Sequence, residues 1–191
     1  MIFGITGGTG CGKTTALRCF AQLGGTVIDC DAVYHRLLRE DPALLAAIAA
    51  RFPGTVQCGV LDRKKLGSLV FADEEALHCL NAITHGAVRQ EVVRILGEAP
   101  GHTAIDAIGL FESGLCDLCD VTVAVTAPED TRVCRLMHRD QISREYALAR
   151  IRAQRPQEDF IRLCRFRLHN DGTQAEFAEK CLTFFRQQLK L

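Results

Sequence analysis

The segment Gly4-Ile5-Thr6-Gly7-Gly8-Thr9-Gly10-Cys11-Gly12-Lys13-Thr14-Thr15 constrains this chain more than any other. Gly7, Gly12, Lys13 and Thr14 satisfy G-x-x-x-x-G-K-[ST]. The apolar run up to Thr6 reads as a buried strand, and Lys13 to Leu23 reads as a helix. A match in that strand–loop–helix setting marks a phosphate-binding loop. Glycines let the backbone turn its N–H groups around an anion, and the helix N-terminus adds a favourable dipole. Lys13 would reach β- and γ-phosphates, and the Thr14 hydroxyl would join Mg²⁺. A glycine-rich turn that binds nothing would not explain why strand, spacing, Lys-Thr pair and helix coincide. The loop implies a nucleoside triphosphate, and leaves the reaction open.

A chain of 191 residues suits one domain and can bury about 70% of the surface its unfolded form exposes. Lys and Arg balance Asp and Glu at 23 each, so no global field recruits nucleic acid or an anionic membrane. Locally the charge is uneven: Arg132 to Arg167 hold ten Arg against four acids, Asp140, Glu145, Glu158 and Asp159. That surplus fits a surface meeting polyphosphate, and equally an exposed helical hairpin laced with ion pairs. No signal peptide and no transmembrane-length apolar stretch is visible. A cytoplasmic location is expected, with the ten cysteines reduced. Cys116-Asp117-Leu118-Cys119 has metal-like spacing, but no second pair or His pattern completes a zinc site. Cys11 has two readings: a thiol activated by a helix N-terminus and open to oxidation, or an inert residue packed under the loop.

Short apolar runs alternate with helical patterns, the signature of an α/β fold with a parallel sheet. Candidate strands are Ile2–Thr6, Thr26–Asp29, Thr103–Ile108, Val121–Val125 and Phe166–His169. Helical patterns cover Lys13–Leu23, Ala32–Arg39, Ala43–Arg51, Arg63–Val70, Glu74–Leu96, Glu129–His138, Arg144–Ala153 and Gln174–Leu189. Thr173 and Glu176 predict a capping box for the last, with Phe177, Cys181, Phe184 and Leu189 mostly on one face. Ser143 is a candidate helix N-cap. Asp31 to Ala99 is expected to be a helical insertion without strands. Met137 to Arg155 is expected to be a basic helix–turn–helix. No linker separates independent domains, so 1–191 is read as one domain.

In an open parallel sheet, ligands gather beyond the carboxyl ends of the strands. Asp29, Asp31 and Asp106 are placed there, where a carboxylate can take a proton from an attacking hydroxyl or help hold Mg²⁺. Each can instead cap a helix. For Asp31, just before a helical run, both roles fit together; for Asp29 the structural one is favoured. Arg139 and Arg144 in the basic hairpin are candidates to close on a transferring phosphoryl group.

Taken in order, these blocks resemble the dephospho-coenzyme A kinase family over nearly the whole chain. GITGGTGCGKTT looks like its opening loop, and VIDCDAVYH (Val27 to His35) like its Asp-x-Asp block. GVLDRKKLGSLVFAD (Gly59 to Asp73) is the most diagnostic segment, because general phosphate-loop proteins lack it. RLMHRDQISREYALARIRAQ (Arg135 to Gln154) is similar to the lid, and HNDG (His169 to Gly172) to the adenine-side turn. The resemblance implies a five-stranded parallel sheet with a helical substrate insertion at about 32–99 and a lid at about 137–155. It implies ATP and Mg²⁺ as cofactors, and ATP-dependent phosphorylation of the ribose 3′-hydroxyl of dephospho-coenzyme A. Gly10, Cys11, Gly12, Lys13, Thr14 and Thr15 would bind ATP phosphates, with Thr14 on the metal, and Asn170 and Gly172 would lie near adenine. Asp31 would be the base, with Lys13 and Arg139 completing the catalytic set. Arg63, His85 and Glu112 would help Asp31 hold the acceptor. The chain departs from the family pattern at Gly86, Ile108 and Arg165. A monomer or weak homo-oligomer is expected, and the balanced charge leads us to expect no nucleic-acid or membrane partner.

Two other classes remain at this point. One is a kinase of another small acceptor, such as a nucleoside monophosphate, shikimate or gluconate. The other is a nucleotide-dependent switch, although no Asn-Lys-x-Asp guanine-reading sequence is present. A switch hydrolyses nucleotide slowly without an acceptor, whereas a kinase releases ADP quickly only with one.

Overall fold

A computed structural model describes residues 1–70 and 72–190. Phe71, inside the Gly59 to Asp73 segment, and Leu191 lie outside the described residues. Five strands form the expected parallel sheet, in the order β2-β5-β1-β6-β7. They are β1 Ile2–Thr6, β2 Thr26–Asp29, β5 Thr103–Asp106, β6 Val121–Thr126 and β7 Phe166–His169. In register, Ile5 lies beside Asp106 and Val123, and Thr126 lies beside His169. The carboxyl ends of β1, β5, β6 and β7 therefore share one edge. The segments Gly7 to Gly12, Ala107 to Gly109, Ala127-Pro128 and Asn170 to Gly172 leave the sheet there.

The chain divides into two compact units, Met1–Ile28 with Ala99–Leu110 and Cys116–Leu191, and Asp29–Glu98 with Phe111–Leu115. In the first, α1 (Lys13–Gln22) and α9 (Gln174–Leu189) enclose a shared core with the sheet. Phe3, Phe20 and Phe185 meet edge to face with centroids 5.1–5.6 Å apart. That geometry adds to the area each ring buries. The Thr173–Glu176 capping box is present. The apolar face of α9 differs by one position from the sequence reading: Phe185 is fully buried, while Phe184 is half-buried against Phe166. The unit also holds α6 (Glu129–Asp140), α7 (Arg144–Arg152) and α8 (Gln157–Leu163). Ser143 caps α7 by accepting from the Tyr146 N–H. The sequence reading lacked α8, a seven-residue helix whose local signals are Pro156 before its first turn, Glu158 and Asp159 within it, and Arg162 in the last turn.

The second unit packs α2 (Cys30–Glu40), α3 (Pro42–Arg51) and α4 (Arg63–Val70) against the long α5 (Glu74–Glu98). Buried Ala76, Leu80, Thr84, Val88 and Val92 recur every fourth residue of α5, a helical core stripe. Asp62 and Asp73 accept backbone N–H groups at the starts of α4 and α5. Within the Gly59 to Asp73 segment these are helix-start signals. The expectation that this insertion has no strand is overturned. Val56–Gln57 (β3) and Val60–Leu61 (β4) form an antiparallel hairpin. Its two turn residues, Cys58 and Gly59, have φ of 50° and 75°, the left-handed pair a tight two-residue hairpin needs. Two-residue strands carry no periodicity, so the pattern gave no sign of them.

Glu91 on α5 accepts from Arg36 of α2 and from Arg94. Those two guanidinium groups hold its carboxyl down at about 2, from an ordinary 4.5. A lowered carboxylate contributes stability above its unfolded pKa and loses it as pH falls through the folded one. Glu91→Gln should cost about 1 kcal/mol at pH 7 and flatten the fall in melting temperature between pH 4.5 and 2. Thermal melts of both proteins across that window measure it. Among the described residues no helix is long and apolar enough to cross a membrane.

Candidate active site

The loop after β1 is held from all sides within the first unit. A Cβ on Gly7 (φ +141°) would lie 2.2 Å from the Val125 carbonyl oxygen, and one on Gly12 (φ +105°) would lie 2.3 Å from Asn170 Nδ2. Only glycine fits either position. Gly12 also N-caps α1, with no side-chain cap bond and no acid in the first turn. By contrast α2, α3, α7 and α9 carry Asp, Ser or Thr caps. The start of α1 thus keeps its positive end for an anion. Lys13 Nζ donates to the Gly7 carbonyl at 3.1 Å and lies 4.0 Å from the Asp106 carboxylate. Thr14 is exposed at the same helix start.

Asn170 is buried, and its amide is committed to the loop: Nδ2 donates to the Cys11 carbonyl at 2.9 Å. Its Oδ1 accepts from Arg135, which also reaches the Gly10 carbonyl at 3.3 Å. Gly172 lies beside it on a cleft of about 320 Å³, lined also by His169, Asp171, Glu176, Phe177 and Lys180. His169 Nδ1 is met at 2.9 Å by both Thr126 Oγ1 and an Arg167 guanidinium nitrogen. Arg167 can only donate, so the His169 ring proton belongs on Nε2.

Cys11 is 1% exposed and packs in the main core. Burial pushes its thiol up, and the nearby Lys13 offsets only part of that. Of the two readings of Cys11, the packing one therefore holds: burial outweighs the positive charge beside the thiol. Burial likewise raises Cys116, and drives Cys119 to about 12.

Arg139 makes a bidentate pair with Asp140, at 2.7 and 2.9 Å, and Arg150 shares the same carboxylate at 2.6 Å. These partners hold Asp140 down at about 2. Arg144 pairs with Asp130 at 2.8 Å. The arginines in contact with the loop are others. Arg132 Nε donates to the Thr9 carbonyl at 2.8 Å, and Arg135 acts as above. Arg132, Arg135 and Arg139 stand at i, i+3 and i+7, one face of α6. That spacing is the signal by which the sequence reading could have found them.

In the second unit, Asp29 takes the structural role expected of it, whereas the capping half of the Asp31 reading fails. Helix α2 begins at Cys30, so Asp29 is its N-cap, accepting from the Ala32 N–H at 3.0 Å. Asp31 lies in the first turn, exposed, and is not the cap. Arg63 is exposed at the start of α4, close enough to lower the Tyr34 phenol, which burial raises more strongly. His85 is half-buried on α5 and Glu112 is exposed in the Phe111–Leu115 segment. Arg89, one turn beyond His85, donates to the Gly114 carbonyl of that segment, a tie the sequence reading missed.

The sequence model of the dephospho-CoA kinase family matches residues 1–176. A dephospho-CoA kinase of Carboxydothermus hydrogenoformans is 34% identical over 97% of this chain and 93% of its own length. The crystal structure of a Thermus thermophilus protein aligns with TM-score 0.84 at 36% identity, covering 99% of this chain and 97% of that one. Dephospho-CoA kinase from Campylobacter jejuni aligns with TM-score 0.72 at 27% identity, with the same coverage. The chain belongs to the dephospho-CoA kinase family.

Proposed function

We propose that Asp31, Lys13 and Arg139 carry the chemistry by which this kinase moves the γ-phosphoryl group of ATP to the ribose 3′-hydroxyl of dephospho-coenzyme A. The acceptor oxygen forms a bond to the γ-phosphorus while the β–γ bridging P–O bond breaks, and ADP leaves with that electron pair. Asp31 takes the hydroxyl proton, acting as general base. Lys13 and Arg139 neutralise charge that spreads over the equatorial oxygens. Arg139 has to exchange the Asp140 carboxylate for phosphate, which makes 137–155 a lid that closes with substrate present.

Gly10 to Thr15 cradle the phosphates through backbone N–H groups. The Thr14 hydroxyl and the Asp106 carboxylate are hard oxygen donors of the kind Mg²⁺ takes. When bound, Mg²⁺ neutralises charge on the phosphate oxygens. The cleft at Gly172 fits the base side of the nucleotide, while Asn170 serves it indirectly by supporting the loop. Arg63, His85 and Glu112 belong to the acceptor side, in the unit that holds most of the 32–99 insertion. We assign the enzyme to the cytoplasm as a monomer or weak homo-oligomer, with no nucleic-acid or membrane partner. Its zero net charge supports the last two.

The observation that carries this reading is an intact Gly7–Thr14 loop, at a helix start left without a side-chain cap, in a chain the family model matches over 1–176. ADP release with Mg-ATP tests it against a panel of acceptors. Dephospho-coenzyme A should stimulate release strongly, and shikimate, gluconate and nucleoside monophosphates should not. Stimulation by one of those and none by dephospho-coenzyme A overturns it.

A further inference from the structure

Thr9 stands between two glycines, Gly8 and Gly10. Such a run has more backbone freedom to lose than any other. Both of its polar backbone groups are nevertheless held by side chains distant in sequence. Gln154 Oε1 accepts the Thr9 N–H at 2.7 Å, and Arg132 Nε donates to the Thr9 carbonyl at 2.8 Å. The fit is close: a Cβ on Gly8 would fall 2.4 Å from an Arg132 terminal nitrogen and 3.2 Å from Gln154 Oε1. Arg132 is 6% exposed, and burying a guanidinium costs free energy unless its bonds recover it. Gln154 is half-buried and follows the α7 C-cap, with its own N–H on the Ile151 carbonyl. The two side chains line one cleft of about 330 Å³, with Ala127, Ile151, Arg155 and Glu158.

We infer that Arg132 and Gln154 are positioning residues that clamp Thr9, fixing the phosphate loop in its nucleotide-ready shape and tying it to the basic hairpin α6–α7. Neither residue is assigned a phosphate contact. The clamp removes, ahead of binding, the ordering cost that a Gly-Thr-Gly segment would otherwise impose on nucleotide affinity. It rests on the reading that this loop binds ATP, and it predicts that the chain end of α7 reports on the loop.

Two readouts, neither of them turnover, test it. Gln154→Leu removes the acceptor of the Thr9 N–H, and Gln154→Glu keeps one. In the nucleotide-free protein, Thr9 amide exchange should accelerate at least about tenfold in Gln154→Leu and stay near wild type in Gln154→Glu, because a part-buried N–H that loses its partner exchanges through smaller openings. ATP affinity by direct titration should fall about tenfold in the first and recover in the second, with dephospho-coenzyme A affinity unchanged in both. Arg132→Lys, which retains a donor, should likewise bind ATP better than Arg132→Met. Gln154→Asn, one methylene too short but equally polar, gives the same reading where Gln154→Leu disturbs folding. Wild-type Thr9 protection or wild-type ATP affinity in the Leu and Asn variants overturns the clamp. So does an equal loss of affinity for both substrates, which marks a merely structural role. A wild-type protein that binds no ATP overturns the nucleotide reading instead, so the two failures are distinct.

Discussion

Asp31→Asn should turn over about 10²–10⁴-fold more slowly than the wild-type protein at saturating substrates, the usual worth of a general base. The substitution keeps side-chain size and polarity and removes basicity. Its structural side effect is small for a reason visible in α2. Asp29, not Asp31, accepts the Ala32 N–H and caps the helix, so the cap survives. Losing one exposed first-turn carboxylate costs the helix dipole about 0.3–1 kcal/mol. The melting temperature should therefore move by only a few degrees, and ATP titration should give wild-type affinity, because the Gly7–Thr14 loop is untouched. Steady-state turnover, a thermal melt and the titration together check this. Wild-type turnover would remove Asp31 from the role of base.

Lys13→Met should lower kcat/KM by about 10²–10³, or roughly 2.7–4 kcal/mol, the typical loss when one preorganised charge facing the developing negative charge is removed. Met preserves most of the buried stem, so the change isolates the ammonium group. That group now bridges the loop's first carbonyl, at Gly7, and the carboxylate ending β5, at Asp106. The effect should therefore appear in ATP affinity as well as in turnover, unlike that of Asp31→Asn. Initial rates at varied ATP, with direct titration of the nucleotide, separate the two. A variant with unchanged kcat and ATP affinity would place the phosphates somewhere other than the Lys13 side of the loop.

The parts of this fold legible in the sequence were those written locally. The phosphate loop announces itself within twelve residues. The Thr173 capping box and the Ser143 cap are likewise short-range patterns, and both form as read. Contacts between distant segments left no such trace. Asn170 meets Cys11 across 159 residues and Gln154 meets Thr9 across 145, so nothing local marks either as a support of the loop. Arg132 and Arg135 stand out of the basic stretch by their shared face of α6, but that this face turns toward the loop is a tertiary fact. The β3–β4 hairpin was hidden by its brevity, and a start of α2 two residues earlier than read removes Asp31 from the cap and leaves it to Asp29. Cys11 shows a local rule losing to a tertiary one. The helix N-terminus argues for an activated thiol, and nearly complete burial reverses the sign. The acceptor side was read through family blocks. There the residue types are ordinary, and Arg89 escaped because its partner is a backbone carbonyl, Gly114.

The central claim is that the γ-phosphoryl group passes to the ribose 3′-hydroxyl of dephospho-coenzyme A and not to water. Incubation with γ-labelled Mg-ATP and dephospho-coenzyme A, followed by separation of the products, tests it most directly. The prediction is one label on the 3′-oxygen of coenzyme A for each ADP formed, with ADP formation nearly abolished when the acceptor is omitted. Label recovered as inorganic phosphate, at a rate indifferent to dephospho-coenzyme A, would contradict it.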